Sequence, residues 1–484
     1  MNKISNIIGV LLFTVSTFAQ TITIPFTGDY ADPSIVRVED NYYMTHTSHS
    51  YYPGLLVWHS KNLKDWKPVC RALHKNVGTV WAPEIIYYQN KFYIYFPTDK
   101  GGNYVITADK PEGPWTDPVK LDVEGIDPGH IADSKGNRYL YVNGGRYVRL
   151  SPDGLTALSK EEDVYNGWQY PLDWAVECFC LESPKLTFKD GYYYLVSAQG
   201  GTSGPSTSHM AVVARSKSVV GPWENSPYNP LVHTYSPEES WVSKGHATLF
   251  EGNDSQWHIV YHAYDPNNRQ MGRSTLLEGI KWTKDGWPVM EKKSKVSANT
   301  YTTKPNTQLE SDNFNSTELK WQWCFWGLNN TNEYALENGA LVLNGNNYNK
   351  RALMAIASVP DYEVSFKIRP VGNVETGVVL FYNEREYCGI GLKNDTIYGL
   401  SRGKKAWSEI PVKDCNYLKL RVQKSTISLA YSHDGKNWIG YPHGFDVSGY
   451  HTNMFSGFFS LKPSVLCNGE GKVIIDNFNI KTNL

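Results

Sequence analysis

Five copies of one phrase recur along the chain, and this repeat constrains the fold more than any other feature. Each copy has a polar opening residue, a short apolar run, a turn that contains Asp, Asn or Gly, and a second run rich in Tyr, Phe or Trp. The opening residues are Asp32, Glu84, Asp127, Glu182 and His246, spaced about 45 to 65 residues apart. A period of that length is typical of the blades of a β-propeller, whose equivalent positions meet near one axis. The sequence therefore predicts that four carboxylates and one imidazole converge on a single site.

A second phrase follows the first in four of the five copies and places a Trp after a turn. Its copies read KNLKDWKPV, KPEGPWTDPV, VVGPWENSP and LEGIKWTKDGWPV. We expect these Trp side chains to seal each blade against its neighbour. Short runs of Val, Ile, Tyr and Phe bounded by Gly, Asn, Asp and Pro are typical of strands, so the predicted fold class is all-β.

The sequence changes character near residue 310, which predicts a second domain. Segments such as DYEVSFKIRP and YLKLRVQKSTISLAY alternate apolar and polar residues with a period of two, as in a β-sandwich. We predict a five-bladed β-propeller over residues 20–295, a polar linker over 296–309 and a β-sandwich over 310–484. Because the sandwich has no concentrated acidic cluster, we expect it to be an accessory domain.

Residues 1–19 have the features of a secretory signal peptide. Lys3 supplies the charged start, IIGVLLFTV the apolar stretch, and Thr17-Phe18-Ala19 a cleavage site before Gln20. The apolar stretch is too short to span a bilayer, and no Cys follows the cleavage site to carry a lipid. The sequence therefore predicts a secreted or periplasmic protein without a membrane anchor.

Charge and composition exclude some functions and favour others. The formal net charge is −1, so nothing points to nucleic acid or an anionic membrane as a partner. Aromatic residues make up 14% of the chain; they pack sheets, and exposed ones also stack on sugar rings. The seven cysteines form no C-x-x-C pair, which disfavours a zinc site. Cys178 and Cys180 alternate along a predicted strand, so we expect them on opposite faces as free thiols.

Three of the opening residues match the needs of glycosidic bond hydrolysis. That reaction uses one carboxylic acid to protonate the leaving oxygen and a second carboxylate to activate water or to attack the sugar. A third charge near the acid keeps it protonated by raising its pKa. Asp32, Asp127 and Glu182 supply three such groups, each with a Pro one or two residues later that fixes the local backbone. The alternative is that these acids only bind backbone donors at strand starts; their equivalent repeat positions favour catalysis.

At this point the chain resembles a known family, the five-bladed propellers of glycoside hydrolase family 43. The matching phrases are YADPSIVRV, YYPGLLVWHSKNLKDW, WAPEI, IDPGHI, ESPKL, KGHATLF and GRSTLL, in the order of the family. They cover essentially the whole N-terminal domain. The C-terminal part resembles the concanavalin-like jelly roll found behind many family 43 xylosidases, through SDNF, GVVLFY and YSHDGKNW.

The resemblance implies an inverting mechanism and a role for each of the three acids. Asp32 would be the general base that activates water, and Glu182 would be the general acid. Asp127 would orient Glu182 and raise its pKa. Inversion requires the base and the acid to stand roughly 6.5–9.5 Å apart, which leaves room for the water.

The resemblance also implies supporting residues. Trp81 would form an apolar wall of the sugar pocket, or else pack between blades. Arg273 would contact substrate hydroxyls, or else form a salt bridge at the rim. His246 would bind calcium or water beneath the site, or else be a hydrogen-bonded core residue. No cofactor is required, and a structural Ca²⁺ is the one metal implied. His49 and Tyr51 stand where xylosidase-like members often carry an aromatic residue, and we expect them to shape the sugar subsite.

The predicted function is an exo-acting glycosidase that releases one terminal pentose from an oligosaccharide or polysaccharide. β-D-Xylose is the first choice and α-L-arabinofuranose the second, and activity on galactan or arabinan is a further alternative within the family. A hypothesis of another class is a non-catalytic carbohydrate-binding propeller. A third makes the sandwich a sugar-binding module that uses exposed aromatic residues such as Trp323 and Trp326.

Overall fold

A computed structural model describes residues 22–291, 306–482 and 484, and these residues are almost entirely strand and turn. The predicted signal peptide, 1–19, and most of the predicted linker lie outside the described residues. No helix within the described part of the chain is long and apolar enough to cross a membrane.

Five antiparallel sheets form the blades of a propeller. The first described strand is β1 (Thr23–Phe26), and the first blade contains β2 (Ser34–Val38), β3 (Asn41–Thr45), β4 (Gly54–Ser60) and β5 (Lys67–Leu73). The second contains β6 (Glu84–Tyr88), β7 (Lys91–Pro97), β8 (Asn103–Ala108) and β9 (Val119–Leu121). The third contains β10 (Gly129–Ala132), β11 (Arg138–Val142), β12 (Arg146–Leu150) and β13 (Glu162–Asp163).

The last two blades have five strands each. The fourth contains β14 (Cys178–Lys189), β15 (Tyr192–Gly200), β16 (Met210–Ser216), β17 (Glu224–Asn225) and β18 (Val232–His233). The fifth contains β1 together with β19 (Val242–Glu251), β20 (Trp257–Tyr264), β21 (Arg273–Trp282) and β22 (Pro288–Met290). A 3-10 turn lies at Arg269–Met271. Strand β1 pairs with β21, so the beginning of the chain closes the ring at the last blade.

The repeated Trp residues lie between blades, as the sequence predicts. Trp66 belongs to a core cluster that joins the first and fifth blades. Trp115 packs between the first two blades, Trp223 between the third and fourth, and Trp287 between the fourth and fifth. The second repeated phrase therefore holds the ring together and leaves the axis to the opening residues.

The C-terminal domain is a sandwich of two sheet layers, and the all-β prediction of a propeller followed by a sandwich is confirmed. Its strands are β23 (Trp323–Trp326), β24 (Tyr334–Glu337), β25 (Ala340–Asn344), β26 (Ala352–Ala355), β27 (Tyr362–Phe381), β28 (Tyr387–Lys393), β29 (Thr396–Ser401), β30 (Lys404–Pro411), β31 (Tyr417–Gln423), β32 (Thr426–Ser432), β33 (Ile439–Gly440), β34 (Phe445–Asp446) and β35 (Lys462–Lys481). A 3-10 turn lies at Thr331–Glu333.

Two strands of 20 residues each, β27 and β35, pair along their whole length and pass through both layers. Gly372 faces Gly471 where they cross between the layers, and both have positive φ, 87° and 152°. A Cβ at Gly372 would lie 3.1 Å from the Cα of Gly471. Because the backbones approach this closely, the crossing needs glycine.

The sandwich packs against the first and fifth blades. Tyr52 and Phe325 exchange two backbone hydrogen bonds, of 2.9 and 2.8 Å. Leu461 N–H donates to the Gln270 carbonyl at 2.8 Å. The expectation that Trp323 is exposed is wrong, because this side chain is fully buried in the sandwich core. Trp326 is half-buried and contacts Phe459 and Phe381, so neither residue offers a free stacking surface.

Candidate active site

The opening residues lie on or just before the first strand of each blade, and the structure brings four of them to the axis. His246 Nδ1 lies 3.3 Å from Asp32 Oδ1 and 3.9 Å from Asp127 Oδ2. One side-chain atom each of Asp127, Glu182 and His246 falls within 4.8 Å of the others. His246 also belongs to a second such group, with Asp32 and His262. It therefore lies between Asp32 on one side and the Asp127–Glu182 pair on the other.

The backbone at these positions departs from regular strand geometry. Asp32, Asp127 and His246 have φ of 56°, 58° and 52°, in the left-handed region that non-glycine residues seldom occupy. Such conformations persist only where the surrounding structure holds them, and they cluster at functional sites. The left-handed backbone therefore recurs at the opening residue of the first, third and fifth blades, as expected for equivalent positions of a sequence repeat.

Asp32 is buried among hydrogen-bond donors. Arg273 donates to both of its oxygens, at 2.9 and 3.3 Å, and the Thr47 hydroxyl donates to Oδ2 at 2.6 Å. His262 Nδ1 lies 2.9 Å from Oδ1. Burial by itself would raise the pKa of Asp32, but Arg273, His246 and His262 outweigh it and hold that pKa well below its ordinary value. Asp32 is therefore ionised, as a general base must be.

Glu182 has the opposite electrostatic surroundings. It is half-buried, and burial raises its pKa well above the ordinary value, with further increases from Asp127 and Asp32. Burial and the charge of Asp32 also raise the pKa of Asp127, although Lys185 partly opposes this. The Ser183 N–H donates to Asp127 Oδ2 at 3.1 Å. This bond ties Ser183, the residue that follows Glu182, to Asp127. A proton on Glu182 relieves the repulsion among the three acids.

Glu182 lies between two irregularities of strand β14. Cys178 faces Gly200, Glu182 faces Ala198 and Lys185 faces Val196, so β14 contains extra residues on both sides of Glu182. A disulfide bond joins Cys178 to Cys180 within the first irregularity, with a Cα–Cα distance of 5.3 Å. The expectation of free thiols on opposite faces is therefore wrong, because alternation holds only in a regular strand and β14 is bulged here. The other five cysteines are free.

Glu84 is set apart from the other opening residues by an ion pair. Its carboxylate contacts Lys185 Nζ and accepts a hydrogen bond from the Ser34 hydroxyl at 3.0 Å. Lys185 also donates to the Pro83 and Pro128 carbonyls, at 3.2 and 3.0 Å. The pair thus links the second, third and fourth blades, so Glu84 has a structural partner that the other opening residues lack.

His49 and Tyr51 surround a buried carboxylate that the sequence reasoning missed, Asp29. His49 Nε2 lies 3.6 Å from Asp29 Oδ1, and the Tyr51 hydroxyl donates to Oδ2 at 3.1 Å. Lys462 of the sandwich contacts the same oxygen at 2.8 Å. Burial opposes ionisation of Asp29, but Lys462 and His49 hold its pKa far below the ordinary value. No local pattern in the sequence indicates the pair of Asp29 and Lys462, because the two residues are 433 positions apart.

Trp81 and Arg273 complete the predicted set. Trp81 is half-buried and follows Val80, whose backbone pairs with that of His49. Arg273 is buried and holds Asp32, so the alternative of a salt bridge at the rim does not apply. The guanidinium also lies 5.0 Å from the centre of the Phe458 ring of the sandwich. The sandwich therefore contributes side chains to the wall of the site.

His262 and Thr47 are functional neighbours that the sequence did not reveal. Both bind Asp32, but they come from β20 and from the loop after β3, which do not carry the repeated opening residue. His262 is fully buried, and burial followed by Arg273 lowers its pKa to about 4. Its ring stacks on His209 at 5.2 Å, and a Cβ at Gly245 would come within 2.1 Å of that second ring. Glycine in KGHA therefore makes room for His209.

The groups around His246 suit a calcium ion poorly. Ca²⁺ prefers six to eight oxygen ligands. The oxygens of Asp32 are occupied by Arg273, Thr47 and His262. The carboxylates that remain near His246 are those of Asp127 and Glu182, which together supply fewer oxygens than the ion prefers. His246 Nε2 is buried without a hydrogen-bond partner among the described residues. A positioning role between the carboxylates fits His246 better.

The fold and the site together define a class of protein. It is a five-bladed propeller in which the pKa of one axial carboxylate, Asp32, is lowered and that of another, Glu182, is raised. Acid–base hydrolysis of glycosides requires one ionised and one protonated carboxyl group of this kind. The family model "Glycosyl hydrolases family 43" matches residues 22–288, and "Beta xylosidase C-terminal Concanavalin A-like domain" matches residues 311–460. The chain belongs to glycosyl hydrolase family 43.

Named relatives extend the comparison. A xylan 1,3-beta-xylosidase of a Vibrio species is 32% identical over 296 residues, 53% of this chain and 55% of the relative. The non-reducing end alpha-L-arabinofuranosidase BoGH43B of Bacteroides ovatus is 32% identical over 352 residues, 66% of this chain and 64% of the relative. The matched region thus spans little more than half the length of these relatives. The crystal structure of a xylan beta-1,4-xylosidase from Bacillus halodurans has a TM-score of 0.83 and 26% identity, and the match covers 96% of this chain and all of that one.

Proposed function

We propose that this protein is an inverting exo-glycosidase that releases one terminal pentose from a plant or algal glycan. The observation that carries the proposal is that two carboxylates of one site have surroundings that shift their pKa values in opposite directions. Asp32 is held ionised by Arg273, and Glu182 is held protonated by burial and by Asp127. These are the states that a general base and a general acid need at the start of the reaction.

The reaction follows from these states. Asp32 takes a proton from a water molecule, whose oxygen attacks the anomeric carbon of the terminal sugar. Glu182 gives its proton to the glycosidic oxygen, so the bond to the leaving chain breaks and the leaving group departs as an alcohol. Asp32 ends protonated and Glu182 ionised, and proton exchange with solvent restores both. Every group used is a side chain of this protein, so we propose that no metal is required and expect a chelator to leave the rate unchanged.

Exo action is supported by the way the sandwich borders the pocket. Phe459 lies 5.1 Å from the His49 ring, Phe458 lies against Arg273, and Lys462 binds Asp29. A wall from a second domain on one side of the axis favours a pocket for a chain end over an open groove for a chain interior.

The preferred sugar is β-D-xylose, and α-L-arabinofuranose is the second candidate. The C-terminal family model is named for β-xylosidases, and the Vibrio relative is named as a xylosidase. The Bacteroides ovatus relative is named as an arabinofuranosidase and matches over more residues. The cluster of His49, Tyr51 and Asp29 lines the part of the site where we expect the choice between these sugars to be made.

We also propose that the protein is exported. The predicted signal peptide motivates this, and the Cys178–Cys180 disulfide supports it, because disulfides persist mainly in oxidising compartments. Fractionation of cells that express the full chain tests the proposal; retention of the protein in the cytoplasm with its first 19 residues would contradict it.

The test of the function is a panel of aryl glycosides: β-xyloside, α-arabinofuranoside and β-galactoside. We expect the β-xyloside to be hydrolysed fastest. Asp32→Asn and Glu182→Gln should each lower kcat by at least about 100-fold, and Tyr348→Ala, which removes an exposed ring of the sandwich, should have no effect. A faster arabinofuranoside would select the second candidate. Full activity in either acid variant would contradict the mechanism, and no turnover of any substrate would favour a carbohydrate-binding propeller.

A further inference from the structure

A row of aromatic side chains leads away from the segment that carries Glu182. Trp168 meets Trp174 edge to face with ring centres 6.1 Å apart. Trp174 stacks on His233 at 4.5 Å with an interplanar angle of 6°, and His233 meets Tyr235 edge to face at 4.8 Å. We call these four residues the aromatic row. The proposed hydrolytic mechanism uses none of them.

The inner end of the row is tied to the strand pair that holds the proposed acid. Glu182 on β14 faces Ala198 on β15, and the next residue, Gln199, is fully buried. The Gln199 amide binds the backbone of Trp168 twice, as acceptor from N–H at 2.8 Å and as donor to the carbonyl at 3.1 Å. Trp168 is thereby fixed to β15, the strand that pairs with the one carrying Glu182.

The outer end of the row is fixed but open to solvent. The Tyr235 side chain is 70% exposed, although its backbone N–H donates to Glu239 Oε1 at 2.7 Å. Glu239 in turn contacts Lys244, which lies on β19 two residues before His246. A rigid backbone under an exposed aromatic ring is the arrangement expected of a binding surface, since little conformational freedom is lost when a ligand stacks on it.

A cavity of about 320 Å³ adjoins the outer half of the row. Its lining includes His233, Tyr235, Glu239 and Lys244, with the half-exposed ring of Tyr228 at the rim. Its size falls at the lower end of small-ligand pockets, which combine apolar rings with a few polar groups. The lining thus offers both ring faces and hydrogen-bonding groups.

The shape of this surface identifies the kind of ligand. The rings of Trp168, Trp174 and Tyr235 form a narrow line over the buried ring of His233, whereas a protein partner would need a broad apolar patch. The charged side chains that line the cavity have partners within the protein: Lys244 pairs with Glu239, Tyr261 donates to Glu278, and Lys281 pairs with Glu291. A chain of neutral sugars, with apolar ring faces and hydroxyl edges, matches this surface.

We propose that the aromatic row binds the glycan chain on the leaving-group side of the scissile bond. This inference rests on the proposed function. It adds that the preferred substrate is a neutral oligosaccharide longer than two sugars, whose terminal sugar enters the pocket while the following sugars lie along Trp168, Trp174 and Tyr235. His233 supports the last two rings from below.

The test compares substrates of increasing length. Xylo-oligosaccharides of two to six sugars are the probes, or arabino-oligosaccharides if the aryl panel selects arabinofuranose. We expect kcat/KM of the unaltered protein to rise with length. In Trp174→Ala and Tyr235→Ala the rise should shrink roughly five- to tenfold, about 1 to 1.4 kcal/mol of transition-state binding. Aryl glycoside turnover should change much less, because a single aryl group extends no farther than the inner end of the row at Trp168.

Several controls keep the outcomes distinct. Tyr235→Ala removes a solvent-exposed ring and should not disturb folding, so this variant still tests the proposal if Trp174→Ala fails to fold. Tyr348→Ala is the control for loss of an exposed ring elsewhere. Slower migration of the protein in a gel that contains soluble arabinoxylan measures binding independently of turnover. If no glycoside is cleaved but Tyr235→Ala abolishes the retardation, the proposed hydrolytic function is wrong, whereas glycan binding by the aromatic row is supported. Two results, each with a normal aryl rate, would overturn the proposed binding site. One is a kcat/KM of the unaltered protein that does not depend on oligosaccharide length. The other is a kcat/KM that rises with length equally in the unaltered protein and in the row variants.

Discussion

Asp32 and Glu182 are carboxylates of one pocket, yet their neighbours shift their pKa values in opposite directions. Arg273 binds both oxygens of Asp32, whereas the charged groups that dominate at Glu182 are the acids Asp127 and Asp32. Two like groups with diverging pKa values are the usual basis for assigning an acid and a base. The assignment therefore depends on Arg273 and Asp127 as much as on the two reacting carboxylates.

Replacement of Asp127 tests the electrostatic part of this account. Asp127→Asn removes a negative charge that raises the pKa of Glu182, so that pKa should fall. A general acid works in its protonated form, below its pKa, so activity should be lost at a lower pH as the pH rises. The pH profile of kcat checks this: we expect the basic limb to move to lower pH. An unshifted basic limb would show that Asp127 does not set the pKa of the acid.

At the scale of single elements, strand β14 shows how local irregularity positions Glu182, the proposed acid. Glu182 is flanked by a bulge closed by the Cys178–Cys180 disulfide and by Ser183, which has a φ of 53° and binds Asp127. Bulges redirect side chains and are common beside active sites. The disulfide lies two residues from Glu182, so it fixes the backbone that positions this side chain.

A double variant, Cys178→Ser with Cys180→Ser, tests that role through the leaving group. A poor leaving group needs protonation by Glu182, whereas dinitrophenolate departs without it. We expect the variant to lose roughly tenfold in kcat on an alkyl or sugar leaving group and little on the dinitrophenyl glycoside. Cys70→Ser, which alters a free thiol of the first blade, is the control. Equal losses on both substrates would indicate general destabilisation of the blade instead.

The repeat made much of the fold and the acid set predictable, because both depend on local phrases. The positions of Asp32, Asp127 and Glu182 at blade openings follow from their place in each copy. His262, Thr47 and Asp29 could not be predicted, since their partners are brought together by strand pairing and domain contact rather than by spacing. The bulge in β14 was missed because period-two alternation assumes a regular strand.

At the scale of the whole molecule, the sandwich and the propeller share buried charge. Lys462 and Asp29 are both fully buried and 2.8 Å apart, with Ser460 and Tyr51 as further partners. A pair of this kind contributes little relative to apolar packing, but the loss of one partner leaves a buried charge uncompensated. The contact therefore couples the position of the sandwich to the wall of the sugar pocket.

Lys462→Met should lower the free energy of unfolding by about 3 kcal/mol, as measured by urea denaturation at neutral pH. The low pKa of Asp29 means that this stabilisation exists at neutral pH and is lost as the pH falls below the ordinary Asp value of about 4. Adding Asp29→Asn should restore much of the loss. Lys367→Met, which breaks a partly exposed pair with Asp476, should cost less than about 1 kcal/mol. Equal effects of the two Lys variants would contradict the coupling.

The stereochemistry of the first product tests the central claim most directly. Proton NMR during hydrolysis of the preferred aryl pentoside, recorded before the sugar mutarotates, shows which anomer forms first. The account predicts inversion, so a β-xyloside should yield α-xylose first, because Asp32 activates a water on the face opposite the leaving group. Initial appearance of β-xylose would mean net retention and would contradict the roles assigned to Asp32 and Glu182.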